Sequence, residues 1–91
     1  LDFDKSALEN HNLIRGLSPY PGAYFVHQDK SYKVYKSAVV QGKEGKDYFN
    51  TDHKSYVYLR CGDGNCLSIL EIQPEGKKRM DIADFLRGNK I

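Results

Sequence analysis

The chain has 91 residues, enough for one hydrophobic core and no second lobe, because a chain this short buries only about two-thirds of the surface it exposes when unfolded. Hydrophobic residues at 40%, charged residues at 29%, seven Tyr and four Phe argue against a disordered segment. No apolar stretch approaches the roughly 20 residues of a membrane span, and no basic start followed by an apolar run suggests a secretory leader. The start at Leu1 rather than Met raises the expectation of a processed or excised piece. Fourteen Lys and Arg against 12 Asp and Glu leave a net charge of +2, too mild to mark a nucleic-acid binder, so the distribution of charge has to decide.

The first element reads as a helix. Ser6 is a good N-cap and Glu9 completes a capping box. Leu8, His11, Ile14 and Leu17 at three-residue steps, with Leu13 four before Leu17, give an apolar face. Gly16 weakens the helix slightly, and Ser18-Pro19-Tyr20-Pro21-Gly22 ends it, since each proline pushes the preceding residue out of the helical region.

From Ala23 to Gln73 the chain reads as strands. Residues 23–28 are rich in β-formers, and Asp29-Lys30-Ser31 makes a turn. A long strand follows over 32–41, with Tyr32, Val34, Ala38 and Val40 on one face and Lys33, Tyr35, Ser37 and Val39 on the other. Lys36 interrupts the apolar face. After a break at 42–45, a short strand is expected at 46–50 and a turn at 51–54. Residues 55–61 alternate: Tyr56, Tyr58 and Arg60 against Val57, Leu59 and Cys61. Asp63-Gly64 is a hairpin signal, since both positions tolerate positive φ. The return strand, 66–73, places Leu67, Ile69 and Glu71 on one side and Leu70 and Ile72 on the other. After Pro74-Glu75-Gly76 and a basic run comes a short helix, with Asp81 as N-cap, Gly88 as its stop, and Ile82, Phe85 and Leu86 as its buried stripe.

A helix, about five short antiparallel strands and a short helix predict a mainly β domain. It is a small open five-stranded barrel of the oligonucleotide/oligosaccharide-binding (OB-like) type, with an SH3-like barrel as the alternative. Residues 1–5 read as the end of a linker and 6–91 as the domain. Catalytic machinery is hard to find. No phosphate loop follows a strand and opens a helix. Cys61 and Cys66 are expected to face each other near the hairpin end as free thiols of a reducing cytoplasm. His11, His27 and His53 lie too far apart in sequence to suggest a metal site. His11, on the helix stripe, is expected to be partly buried and hydrogen-bonded. These residues predict a binding module with neither catalytic residue nor metal.

The cations are more informative. Lys33, Lys36 and Lys43 surround a strand that also carries Tyr32 and Tyr35, and Lys77, Lys78 and Arg79 form a second cluster. Interleaved cations and rings suit a nucleic-acid surface, the cations tracking phosphates and the rings stacking. A solvated sheet face with tyrosines packing across strands is the competing reading. Glu75, Asp81 and Asp84 are positioned to neutralise part of the second cluster. Arg15 is free to pair with an acid or reach a phosphate.

Three segments also resemble the C-terminal part of methionyl-tRNA formyltransferases. They are His11-Asn12-Leu13-Ile14-Arg15-Gly16-Leu17-Ser18-Pro19-Tyr20-Pro21-Gly22-Ala23-Tyr24, Cys61-Gly62-Asp63-Gly64, and the ending from Leu67 through Gln73-Pro74-Glu75-Gly76-Lys77-Lys78-Arg79-Met80 to Gly88. Tyr20 stands where many members carry Trp. The resemblance implies an OB-like C-terminal domain that holds initiator methionyl-tRNA for a catalytic N-terminal formyltransferase domain of the same chain, outside these residues. It implies 10-formyltetrahydrofolate as co-substrate of the parent enzyme, no cofactor in this part, and a cytoplasmic monomer without a membrane partner. Arg15, Lys33, Lys36, Lys43, Lys77, Lys78 and Arg79 are the expected tRNA contacts. The alternative is a structural domain of a related sugar-nucleotide or formyltetrahydrofolate-using formyltransferase that only packs on its catalytic partner.

Overall fold

The computed structural model describes residues 1–18, 22–42 and 48–88. Helix α1 spans Ala7–Leu17, strands β1 to β6 span Ala23–His27, Lys30–Val40, Phe49–Thr51, Val57–Arg60, Cys66–Pro74 and Met80–Asp81, and helix α2 spans Ile82–Gly88. All pairings are antiparallel. The sheet order is β1-β2-β5-β4-β3, with β6 added to β5. The expected open five-stranded antiparallel barrel with a helix at each end is therefore present, and the two-residue β6 is a strand that sequence reasoning did not anticipate. The sheet curls until its outer edges meet through side chains. The His27 ring of β1 stacks on Phe49 of β3 at 4.1 Å and 11°, and His27 Nδ1 lies 2.7 Å from the Tyr48 hydroxyl. No helix among the described residues is long and apolar enough to cross a membrane.

The curl rests on an irregular register between β2 and β5. Val34 faces Ile72, Lys36 faces Glu71, and Ser37 faces Ile69. Tyr35 on one strand and Leu70 on the other are thus skipped. Each skipped residue is a local bulge, which bends its strand and adds twist. The two displacements compensate, so pairing resumes in step beyond them. This overturns the simple alternation expected for both strands. Ser37 and Val39, not Ala38 and Val40, share the face of Ile69 and Leu67, while Ile69 and Ile72 both point into the core and Glu71 points out. Boundaries shift as well. The β1–β2 turn is Gln28-Asp29, both at positive φ, so β2 begins at Lys30.

The core gathers Val34, Val57, Leu59, Leu67, Ile69, Ile72 and Phe85 under α1 and α2. Ser6 and Glu9 form the expected capping box. The buried stripe of α1 differs from the one expected: it runs through Ala7, Asn10 and Ile14, and Leu8 is 57% exposed. Asn10 takes the central position because its amide is fully used. Oδ1 accepts from the Asp2 amide at 3.0 Å, and Nδ2 donates to the carbonyls of Asp2 and Ser6 at 2.8 and 3.1 Å. A buried amide so satisfied is tolerated where an unpaired one is not. Residues 1–5 lie along the domain rather than away from it: Leu1 and Phe3 pack on the core, and the Leu1 nitrogen donates to the Tyr24 carbonyl at 2.8 Å.

The hairpin between β4 and β5 receives this segment. Its loop is closed by Cys61 N–H to Asn65 carbonyl (2.9 Å) and Gly64 N–H to Cys61 carbonyl (3.0 Å). Only Gly64, at φ +85°, adopts the left-handed region, so the hairpin is the three-residue type with a left-handed glycine rather than a two-residue turn. Gly62 donates to the Lys5 carbonyl at 2.9 Å, and a Cβ there would stand 2.0 Å from the Asp4 carbonyl oxygen. Asp63 Oδ1 accepts from the Ala7 amide at 3.3 Å. The two cysteines are offset rather than opposed: Cys66 pairs with Arg60, and Cys61 bonds across to Asn65. Both thiols are free and buried. Burial pushes the Cys61 thiol pKa up, against the opposing effect of the Asn10 amide.

Gly62→Ala should destabilise the fold by about 1–3 kcal/mol, because backbone must move to admit the methyl group. Gly16→Ala, with nothing within 4 Å of the added carbon, should stabilise it by up to about 1 kcal/mol through helix propensity. Equilibrium denaturation of the two variants checks both signs.

Candidate nucleic-acid interface

The paired bulges build the outer face. Because Tyr35 is skipped on β2, Lys36 is turned outward opposite Glu71 instead of into the core. Lys36 Nζ lies 3.0 Å from Glu71 Oε2, and Arg79 Nε donates to Glu71 Oε1 at 2.7 Å. The Arg79 guanidinium sits 4.4 Å above the Tyr35 ring, a cation–π arrangement. Tyr35 donates its hydroxyl proton to Gln73 Oε1 at 2.6 Å, and Gln73 Nε2 donates to the Lys77 carbonyl at 2.8 Å. Lys33 stands directly across from Gln73 on one side and Tyr24 on the other. One continuous outer surface therefore carries Lys33, Lys36 and Arg79, with the Lys77 backbone tied to it through Gln73.

Helix α1 flanks this surface. His11 Nδ1 lies 2.8 Å from Ser37 Oγ, in the partly buried setting expected for it. Ser18 Oγ donates to the Tyr35 carbonyl at 3.1 Å. Arg15 occupies the same helical row between these contacts, on the side of the helix that runs along β2. Arg15, Lys33, Lys77 and Lys78 are exposed and enter no ion pair among the described residues. Lys43 lies outside the described residues.

The neutralising acid is not among those expected. Glu71 holds two cations, whereas Asp84 pairs with Arg87 at 2.7 Å, and Asp81 Oδ1 accepts from the Asp84 amide at 2.8 Å as the N-cap of α2. The guanidinium of Arg79, then the ammonium of Lys36, holds the Glu71 carboxyl below the usual carboxylate range. A carboxyl lowered in the folded state adds stability above its unfolded pKa of about 4.3, and loses that contribution as pH falls through the folded value. Sequence reasoning missed Glu71, Gln73 and Tyr24 as members of this surface. Their signal was present in part: Lys36 on an apolar strand face and Glu71 beside Leu67 and Ile69 are the two breaks in strand alternation, and the fold pairs them with each other.

Chemically, the surface offers fixed cations beside an aromatic ring and amide groups, with no metal cluster among the described residues. Such a surface suits a flat or helical polyanion. Replacing Glu71 by Gln should strengthen binding to a polyanion such as heparin and steepen its salt dependence, since Lys36 and Arg79 lose their internal partner. Because exposed ion pairs contribute about 0–1 kcal/mol, the fold should lose little stability. Heparin-column elution together with a thermal melt measures both.

A family model described as formyl transferase, C-terminal domain, matches residues 1–90. A methionyl-tRNA formyltransferase of Clostridium novyi (strain NT) is 43% identical over 94 aligned residues, covering 100% of this chain and 30% of the relative. One from Agathobacter rectalis is 41% identical, covering 97% of this chain and 29% of the relative. One from Clostridioides difficile (strain 630) is 40% identical, covering 100% and 30%. The chain thus spans less than a third of the length of these relatives.

Proposed function

Because the chain belongs to the family of formyl transferase C-terminal domains, we propose that it is the tRNA-positioning domain of a methionyl-tRNA formyltransferase. On this reading the barrel is of the oligonucleotide-binding type. It holds initiator methionyl-tRNA so that the aminoacylated end reaches an N-terminal formyltransferase domain of the same protein. That domain transfers a formyl group from 10-formyltetrahydrofolate to the methionine amine, and this part of the chain is non-catalytic. The protein acts as a cytoplasmic monomer.

The observation that supports the reading most directly is the shared outer face of Lys33, Lys36 and Arg79 around Tyr35. Arg15, Lys77 and Lys78 add exposed charge to the proposed contacts, and Lys43, outside the described residues, is proposed as a further one. A structured RNA presents mainly phosphate and shape to a protein, so lysine and arginine contacts give binding that depends strongly on salt and weakly on sequence. A net charge of +2 is adequate when the cations converge. Binding remote from the reacting atoms contributes to catalysis by fixing the substrate in a productive orientation.

Titrating the isotopically labelled chain with initiator methionyl-tRNA at two salt concentrations, while following backbone amide shifts, reports affinity and contacted face together. The double variant Lys33→Ala, Lys36→Ala should weaken binding and flatten the plot of log affinity against log salt by about 1.5, each phosphate contact contributing roughly 0.7–0.9. An unchanged slope removes these lysines from the footprint. Absence of tRNA binding at low salt, together with association with the separately expressed N-terminal domain, would favour a domain that only packs on its catalytic partner.

A further inference from the structure

The seam where β1 and β3 approach each other leaves a groove of about 530 Å³ that the cationic face does not use. Clefts of roughly 300–1,000 Å³ are the size that holds small ligands, and barrel mouths are a common place for them. The floor is aromatic: His27 stacks on Phe49, and Tyr48 packs edge-on against both rings. Tyr48 is exposed, and its carbonyl is anchored by the Arg60 amide at 2.7 Å, so the ring is presented from a fixed backbone. Gln28 and His53 also line the groove. Gln28 and His53 stand on left-handed backbone, at φ 52° and 62°, one on each wall.

Charge supplies the argument for the occupant. Lys30 lies directly across from His27 in the β1–β2 register. It also lines a second depression with Tyr32, Pro74, Glu75 and Lys77. Lys33 borders the adjoining depression with Gln73, Pro74 and Gly76. Cations therefore run from the outer face, past the 74–77 turn, to the lip of the aromatic groove, with Glu75 as the one acid lining both depressions. Lys54 follows His53 on the opposite wall. The acid next to it is internally engaged: the Asp52 carboxylate accepts from the Ser55 hydroxyl at 2.5 Å and from the amides of Lys54, Ser55 and Tyr56 at 2.7–3.1 Å. Asp29 remains on the first wall as an exposed acid.

We propose that the groove takes one unstacked nucleobase of single-stranded RNA, the base lying against Tyr48 and its backbone phosphates following Lys30 toward Lys77. The choice of RNA over another planar ligand rests on the tRNA reading above. Stacking needs only a π-face, so the groove accepts any base, and amide and imidazole groups on its rim meet the base edge.

The test uses the chain with a short single-stranded RNA containing one 2-aminopurine, followed by base fluorescence and by the aromatic ring signals of Tyr48 and His27. Ring-current shifts at both residues and a fluorescence change are expected. Tyr48→Ala should weaken binding about tenfold or more, within the range for loss of one stacked base. Tyr48→Phe, which keeps the ring and loses only the hydroxyl contact with His27, should bind nearly as the parent chain does. Absence of ring shifts in the unaltered chain overturns the proposal whether or not the variants fold, and so does a folded Tyr48→Ala variant with unchanged affinity. Initiator tRNA titrated in the same series separates the two readings. If tRNA binds but the single strand leaves the groove unaffected, the groove proposal fails alone. If the single strand binds in the groove and tRNA does not bind, the tRNA reading fails and the groove stands.

Discussion

The compensating bulges at Tyr35 and Leu70 are the constraint on which the domain turns. A strand in strict alternation through Val34, Tyr35 and Lys36 would carry the lysine to the side of Val34, into the core. Skipping one residue on each strand lets the lysine and the glutamate leave the core together while Ile69 and Ile72 remain inside it. The same irregularity bends the long strand, which the sheet needs if its edges are to meet at His27 and Phe49. Core formation, curvature and the charged outer face thus share one local cause.

A second constraint ties the start of the chain to the middle. Asn10 and Gly62 have little in common as residue types, yet both hold the segment 1–5 against the barrel: one with a fully satisfied amide, the other by having no side chain. The Cys61-Gly62-Asp63-Gly64 segment is therefore more than a reversal of direction. Its glycines allow a close backbone approach and a left-handed turn, and its aspartate reaches the first turn of α1. A segment that resembled a linker in sequence is packed as part of the domain.

The outer face is also more restrained electrostatically than a row of lysines suggests. Glu71 holds Lys36 and Arg79 in place, which preorganises them and reduces their net charge. Such an arrangement favours a fixed cationic geometry over maximal attraction. It fits the positioning role proposed for the domain, since tight binding that is equal in ground and transition states does not raise the rate of a chemical step.

Local signals were read well from the sequence. The capping box at Ser6 and Glu9, the alternation of Val57, Leu59 and Cys61, and the Ile82, Phe85 and Leu86 stripe all depend on residues within a turn or a strand of one another, and all appear as expected. The family, too, was legible in long segments at both ends of the chain. Tertiary structure alone decided the rest. Asn10 is buried and Leu8 exposed because the segment 1–5 folds back on that side of α1 and the Cys61 hairpin meets it there. Lys36 and Glu71 face outward because their strands slip past each other by one residue and then recover. Composition and spacing specify which residues can pair within a segment; which face turns inward depends on cross-strand register, set by contacts between residues far apart in the chain.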